Sequence, residues 1–363
     1  MEKNEILVVY GKDPFVMAVN LANEANLAAL IGDRGKKIGL KPNLVVPRKA
    51  ADGATTHVEV AAGLIDYLKG NGFNDISIIE GSWLGASTAD AFNACGYAKL
   101  ARETGVKLID TKLDKGVETD CKGFSIKICE SALAIDFMIN LPVMKGHCQT
   151  ILTCALKNNK GLIPDEEKRR FHAIGLSKPI AHLNTAMRND FILVDGICGD
   201  LDFEEGGNPL YSGRMFAARD PVLVDAWAAS LMGISVSDIA YIGIAEKLGV
   251  GVADISLAKV RQLNHGAAAL NNSVLPTGKA KQFVPYINED DACSACYASL
   301  IFACCRLPKK KLELLPEKIC LGQGFIGKKG KIGIGDCASS FEKFCPGCPP
   351  SGSDMLSFLR KNG

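Results

Sequence analysis

The last 71 residues of the chain hold eight of its 14 cysteines, a density of about 11% that belongs to a disulfide scaffold or a metal site. Two Cys-x-x-Cys pairs, Cys293/Cys296 and Cys345/Cys348, bracket Cys304, Cys305, Cys320 and Cys337. A two-residue spacer lets one turn present both sulfurs to one centre, so two such pairs can complete a four-thiolate site. Zinc and a 4Fe-4S cluster are the two candidate occupants. The pairs stand more than twice as far apart as those of a zinc ribbon, Cys337 follows the glycine-rich run KIGIGD, and Cys348 precedes Pro349. These features favour a cluster held by Cys293, Cys296, Cys337 and Cys348, with Cys320 and Cys345 as substitutes. Backbone amides of the glycine-rich run are expected to donate to cluster sulfurs. No contiguous ferredoxin-type cysteine run exists, so distant segments must assemble the site. Residues 291–363 also carry eleven Lys and Arg against six Asp and Glu, a surplus that suits either an anionic centre or a solvated basic face.

A second constellation lies in LPVMKGHCQTILTCALKNNKGLIPDEEKRRFH, which packs Lys145, His147, Lys157, Lys160, Lys168, Arg169, Arg170 and His172 into 28 residues. Lysine ammonium groups beside a short helix, here expected over Gln149 to Leu156, make a pocket for a carboxylate or phosphate. Asp165, Glu166 and Glu167 could instead neutralise its second half. His57 suits general acid or base work, or a helix cap. The expected site therefore has His57, Lys145 and His147 as catalytic groups and Lys41, Asn43, Lys157, Asn158 and Asp195 as substrate contacts. The six dispersed cysteines, Cys148 and Cys154 among them, read as small buried residues.

These residues fall just after strands in an alternating pattern. Apolar runs at Glu5, Lys37, Asp75, Val106, Ile135 and Phe191 read as strands, and amphipathic stretches over Asp13–Ile31, His57–Phe73 and Ala89–Gly105 read as helices. Nearly continuous apolar strands alternating with helices predict an α/β fold, a mostly parallel sheet with helices on both faces. In such sheets ligands bind at the carboxyl ends of the strands. The expected division is an α/β domain over 1–263, a linker over 264–290, and a Cys-rich metal-binding domain over 291–363. One decoy, Gly322-Gln-Gly324-Phe-Ile-Gly327, matches a dinucleotide turn, but the glycines after it forbid the required helix. A hairpin is expected there.

Composition narrows the partners. Forty-two basic residues nearly balance 40 acidic ones, so no global field favours nucleic acid or a membrane surface. The amino-terminal MEKNEILVVYGKD has no secretory pattern, and no apolar run approaches a membrane span. The expectation is a cytoplasmic protein, in which dense cysteines bind metal rather than form disulfides.

In order along the chain, KPNLV, GATTH, IIEGS, LPVMKGH, ALKNNKGLIP, ILVDGI and ARDPVLVDAWA resemble the domain-of-unknown-function family numbered 362, often described as iron-sulfur proteins. The likeness covers roughly residues 5 to 250. CSACYASLI, GQGFIGKKGKIGIGDC and GCPP resemble the carboxyl-terminal region of one branch of that family. The resemblance implies an α/β domain bearing an iron-sulfur centre, 4Fe-4S in type, in anaerobic prokaryotes. It supplies no reaction, and other members carry a ferredoxin-type run, so it supplies no ligand set either. The leading expectation is a redox protein whose cluster passes electrons to, or polarises, a small anionic substrate. A non-enzymatic electron carrier or cluster-transfer protein with a redox partner, and a structural-zinc enzyme of phosphate or carboxylate chemistry, are the alternatives.

Overall fold

The computed structural model describes residues 1–264 and 278–362. Among them an eight-stranded sheet forms the centre: β1 (Glu5–Tyr10), β2 (Ile38–Pro42), β3 (Ile76–Glu80), β4 (Lys107–Asp110), β5 (Phe137–Leu141), β6 (Phe191–Asp200), β7 (Pro209–Ala218) and β8 (Lys259–Gln262). Their spatial order is β8-β1-β7-β6-β5-β2-β3-β4. All neighbours are parallel except β7, which runs antiparallel to both β1 and β6. The sheet is thus mostly parallel, as the apolar runs predict.

Alternation along β1 sends Leu7 and Val9 to one face, where they pack with Leu21 of α1 (Pro14–Glu24) and Leu64 of α2 (Val58–Gly70). Ile6 and Val8 go to the other face and join Phe171 of α3 (Asp165–Ile174) and Val222 of α4 (Pro221–Leu231). Two predicted helices are interrupted where the backbone turns left-handed. Asp13–Ile31 breaks at Asn26, φ 52°, and Ala89–Gly105 at Gly96, φ 86°. The predicted helix over Gln149–Leu156 is instead a strand, Ile151–Thr153, followed by the short helix Ala155–Asn158. Five of the dispersed cysteines are buried as expected, but Cys148 is exposed.

The tail forms a second, all-parallel sheet of β9 (Ile287–Glu289), β10 (Ile319–Leu321), β11 (Ile332–Ile334) and β12 (Lys343–Cys345). The glycine-rich run therefore links parallel strands, not a hairpin. Within the expected linker or irregular connection over 264–290, residues 265–277 lie outside the described residues, Gly278–Tyr286 is a 3-10 helix and β9 pairs into the tail sheet. Helices α5 (Ser294–Cys304) and α6 (Gly352–Asn362) dock the tail on the large sheet. Ile301 and Leu359 share one apolar cluster with Phe216 and Val222, so the tail is joined to the large sheet by a continuous core.

Candidate functional site

Strands β2, β3 and β5 end beside a cavity of about 320 Å³ lined by Asn43, Glu80, Trp83, His147, Cys148, Lys157, Asn158, Lys160, Lys168, His172 and Glu204, among others. Its floor is a buried ion pair, Lys41 Nζ to Glu80 Oε2 at 2.9 Å. Glu80 also accepts from Leu44 N at 2.8 Å and Gly81 N at 2.7 Å, and Lys41 donates to the Pro42 carbonyl at 2.8 Å. Burial lowers the Lys41 pKa and the Glu80 charge opposes that drop. Gly161 closes over this pair. A Cβ there would stand 1.9 Å from Glu80 Oε1 and 2.7 Å from Lys41 Nζ, so no other residue fits without displacing them.

Asn43 and Asn158 belong to a buried amide network. Asn43 Nδ2 donates to Asn158 Oδ1 at 3.0 Å, and Asn158 Nδ2 donates to Asn140 Oδ1 at 2.7 Å and the Lys41 carbonyl at 3.0 Å. Their amides tie β2, β5 and the Ala155–Asn158 helix together. That helix starts on Asp225 of α4, whose carboxylate accepts from Ala155 N at 2.7 Å and Leu156 N at 3.1 Å. It carries Lys157 to the cavity, where Nζ makes no hydrogen bond or ion pair among the described residues. Burial, then the neighbouring charges of Lys160 and Lys145, push the Lys157 pKa well below its ordinary value. Lys160 lies 3.2 Å from His172 Nε2, and burial lowers its pKa to about 8.

His147 sits on a two-stranded ribbon, Lys145–His147 paired antiparallel with Ile151–Thr153. Its Nδ1 faces Gln149 N at 3.0 Å and Thr150 N at 3.1 Å, and its Nε2 lies 3.3 Å from Glu204 Oε1. Burial, then the charges of Lys157, Lys160, Lys145 and His172, hold its pKa down to about 2. Gly146 lets the ribbon lie against the loop that carries Glu204: a Cβ there would be 2.0 Å from the Leu201 carbonyl. That loop is shaped by buried Asp200, which accepts from Asp202 N, Phe203 N and Asn208 N at 2.7–2.9 Å. Lys145 completes it from behind the cavity wall. Its Nζ donates to Asn43 Oδ1 at 3.2 Å, to the Glu204 carbonyl at 2.6 Å and to the Ala54 carbonyl.

His57 and Asp195 form a separate pair beside the middle of β6. Asp195 Oδ2 accepts from the His57 backbone N–H at 2.8 Å and lies 2.7 Å from His57 Nδ1. Burial disfavours the charged ring, yet the Asp195 charge and hydrogen bond together outweigh it and raise the His57 pKa. Neither residue lines the cavity.

The four candidate thiols act on one another's ionisation, and Cys296 acts on Tyr10 at the end of β1 and on Arg214 of β7. Cys293 precedes α5, Cys296 lies in its first turn, Cys337 follows β11 and Cys348 follows β12. Burial raises the Cys296 pKa most, followed by the charges of Cys293, Cys337 and Cys348. Burial likewise raises Cys293 to about 11, with Cys337 and Cys348 adding to it, while Gln323 Nε2 donates to its Sγ at 3.7 Å. The charge of Cys296 also acts on buried Arg214, whose Nη2 donates to Ser299 Oγ at 3.1 Å. Cys345 and Cys320 stand apart: Cys345 responds to Asp354, and Cys320 packs with Phe325 and Phe341. The expected amide donors are used elsewhere, since Gly335 N donates to the Cys345 carbonyl at 2.8 Å and Asp336 N to the Gly347 carbonyl at 3.1 Å.

Of the residues singled out from sequence, Asn43, His147, Lys157 and Asn158 meet at the cavity. Lys41 and Lys145 lie one layer behind it, and His57 and Asp195 form their own pair. Glu204, Cys148 and Lys160 were not among the chosen contacts. The Glu-Glu pair just after the strand FILVDGICGD was the available signal for Glu204. His147 Nε2, Cys148 Sγ and a Glu204 oxygen lie within 4.8 Å of one another, the only such metal-capable group among the described residues.

Among known proteins, the chain is similar to the thylakoid-associated protein sll1697 of Synechocystis sp., with 24% identity over 231 residues covering 60% of this chain and 69% of that protein. The lactate racemase apoprotein of Thermoanaerobacterium thermosaccharolyticum aligns in structure with a TM-score of 0.39 and 12% identity, over 66% of this chain. The match spans 56% of that racemase, little more than half its length. Among the described residues no helix is long and apolar enough to cross a membrane. Residues 38–230 match the family model described as "Domain of unknown function (DUF362)", and the chain belongs to that family.

Proposed function

We propose that this protein is a cytoplasmic 4Fe-4S redox protein that binds a small anionic substrate in the cavity at the ends of β2, β3 and β5. The observation that carries the substrate half is Lys157, an amine that lines the cavity with no protein partner among the described residues and whose charged form an incoming anion would favour. Lys160 adds a second amine, and Glu80 is already neutralised by Lys41. An incoming carboxylate would gain charge-assisted contacts worth about 1.5–3 kcal/mol each.

Cys293, Cys296, Cys337 and Cys348 offer four sulfur donors, the set that a 4Fe-4S cluster takes. When bound, the cluster would supply one-electron transfer. The residues of this chain would then fix its ligands on three segments and place Arg214 beside it. Strand β6 lies between the strands beside the thiols and those that end at the cavity, so at about 4.8 Å per strand the two sites stand roughly 10–25 Å apart. Direct ligation of substrate to the cluster is therefore not part of this reading.

The test is anaerobic purification, followed by titration with small carboxylates of the wild type and of Lys157→Ala. Saturable binding weakened at least tenfold by Lys157→Ala supports the pocket. Equal binding by both proteins overturns it and favours an electron carrier whose large domain serves a partner protein.

A further inference from the structure

The surroundings of His147 fix which ring nitrogen carries its proton. Gln149 N and Thr150 N, at 3.0 and 3.1 Å from Nδ1, are backbone N–H groups that can only donate. Nδ1 must therefore present its lone pair, and the single proton of the neutral ring resides on Nε2. The backbone supports this arrangement at a cost. Just after the two amides Ile151 adopts φ 68°, a left-handed conformation unfavourable for a β-branched residue. Strain beside a cavity is what a fixed donor requires when the loop would otherwise relax.

Charge around the ring points the same way. Lys157, Lys160, Lys145 and His172 all disfavour a second proton, as does burial, and the neighbouring Cys148 and Glu204 do not reverse this. The same geometry makes a metal a poor occupant of the His147, Cys148 and Glu204 group. A ligating Nε2 needs its lone pair, and a ligating histidine ordinarily donates through its other nitrogen. Here that other nitrogen meets two donors.

We propose that His147 is the cavity's permanent, uncharged hydrogen-bond donor: its Nε2–H takes one oxygen of a small carboxylate whose charge Lys157 meets, and Glu204 holds that place until the ligand displaces it. Glu204 shows the fit directly, because its own carboxylate oxygen lies 3.3 Å from Nε2. An uncharged donor can polarise a carboxylate or an adjacent carbonyl without giving up its proton. The ligand class is thus a small carboxylate. This assignment rests on the anion-pocket reading and deepens it.

Two measurements on the full chain test it. Long-range proton–nitrogen spectra of histidine-labelled protein, with His147 assigned through His147→Gln, are expected to show a neutral Nε2–H ring unchanged from pH 5 to pH 8. A ring that titrates in that range, or carries its proton on Nδ1, overturns the assignment. In the second, acetate, pyruvate and succinate are titrated calorimetrically. Glu204→Gln is expected to tighten at least one of them tenfold or more, and adding His147→Ala to that variant to weaken it tenfold or more. If Lys157→Ala weakens binding while the Glu204 and His147 variants match the wild type, the His147 assignment falls and the anion pocket stands. If none of the three carboxylates binds saturably, both fall.

Discussion

Glu80 at the end of β3 and Lys41 at the end of β2 form an ion pair 2.9 Å long with both side chains buried. Removing one member of a buried pair leaves an unpaired charge, which costs about 3–5 kcal/mol. Glu80→Leu leaves the Lys41 ammonium in the core and also strips acceptors from Leu44 N and Gly81 N. The expected outcome is a loss of that size in urea unfolding, larger than for the double variant Lys41→Met/Glu80→Leu. Equal losses in the single and double variants would show that the pair is not coupled.

Lys145 was expected from sequence to act on substrate, but its ammonium is committed to Asn43, Ala54 and Glu204. Its consequence is therefore mechanical. Lys145→Met should cost roughly 2–4 kcal/mol by leaving three buried oxygens without a donor. Amide hydrogen exchange over residues 201–208 should accelerate more than over β2 or β5. Uniform acceleration across the chain would argue that Lys145 does not specifically hold the Glu204 loop.

The two site histidines should impose opposite pH dependences on stability. His57 has a raised folded pKa, so its contribution is complete below about pH 6.5 and fades as pH rises through that elevated value. His147, held to about 2 when folded against 6.5 as its ordinary value, contributes fully above about pH 6.5 and loses this as pH falls. Urea midpoints measured from pH 5 to pH 9 should show His57→Gln removing part of the alkaline decline and His147→Gln removing part of the acid decline. Each slope is bounded at about 1.4 kcal/mol per pH unit. Variants that shift the profile in the same direction would contradict this assignment of charges.

Ile151 offers a test of stored strain. Its side chain is partly exposed and its φ is 68°, so glycine loses little packing and gains an easy backbone. Ile151→Gly should stabilise the protein by about 0.5–1 kcal/mol after the greater unfolded-state entropy of glycine is counted. A lower urea midpoint for this variant would show that the turn is not strained.

What the residues revealed in advance follows from the range of the interactions involved. Nearly continuous apolar runs such as EILVVY and FILVDGI made the parallel sheet legible, because burial on both faces is a local compositional signal. The antiparallel placement of β7 between β1 and β6 was not legible, since direction depends on a loop of only eight residues between two long strands. His147, Lys157, Asn43 and Asn158 could be picked out by position after strands. Glu204 could not, because it reaches His147 from 57 positions away through a loop shaped by Asp200. The interruptions at Asn26 and Gly96 escaped periodicity for a related reason: apolar spacing resumes in phase on either side of one left-handed residue.

The central claim is that Cys293, Cys296, Cys337 and Cys348 hold a 4Fe-4S cluster, and its most direct measurement is iron, sulfide and zinc content after anaerobic purification. The expected result for the wild type is about four iron and four sulfide per chain, lost in Cys296→Ser and retained in Cys320→Ser and Cys345→Ser. One zinc per chain with neither iron nor sulfide would contradict the account.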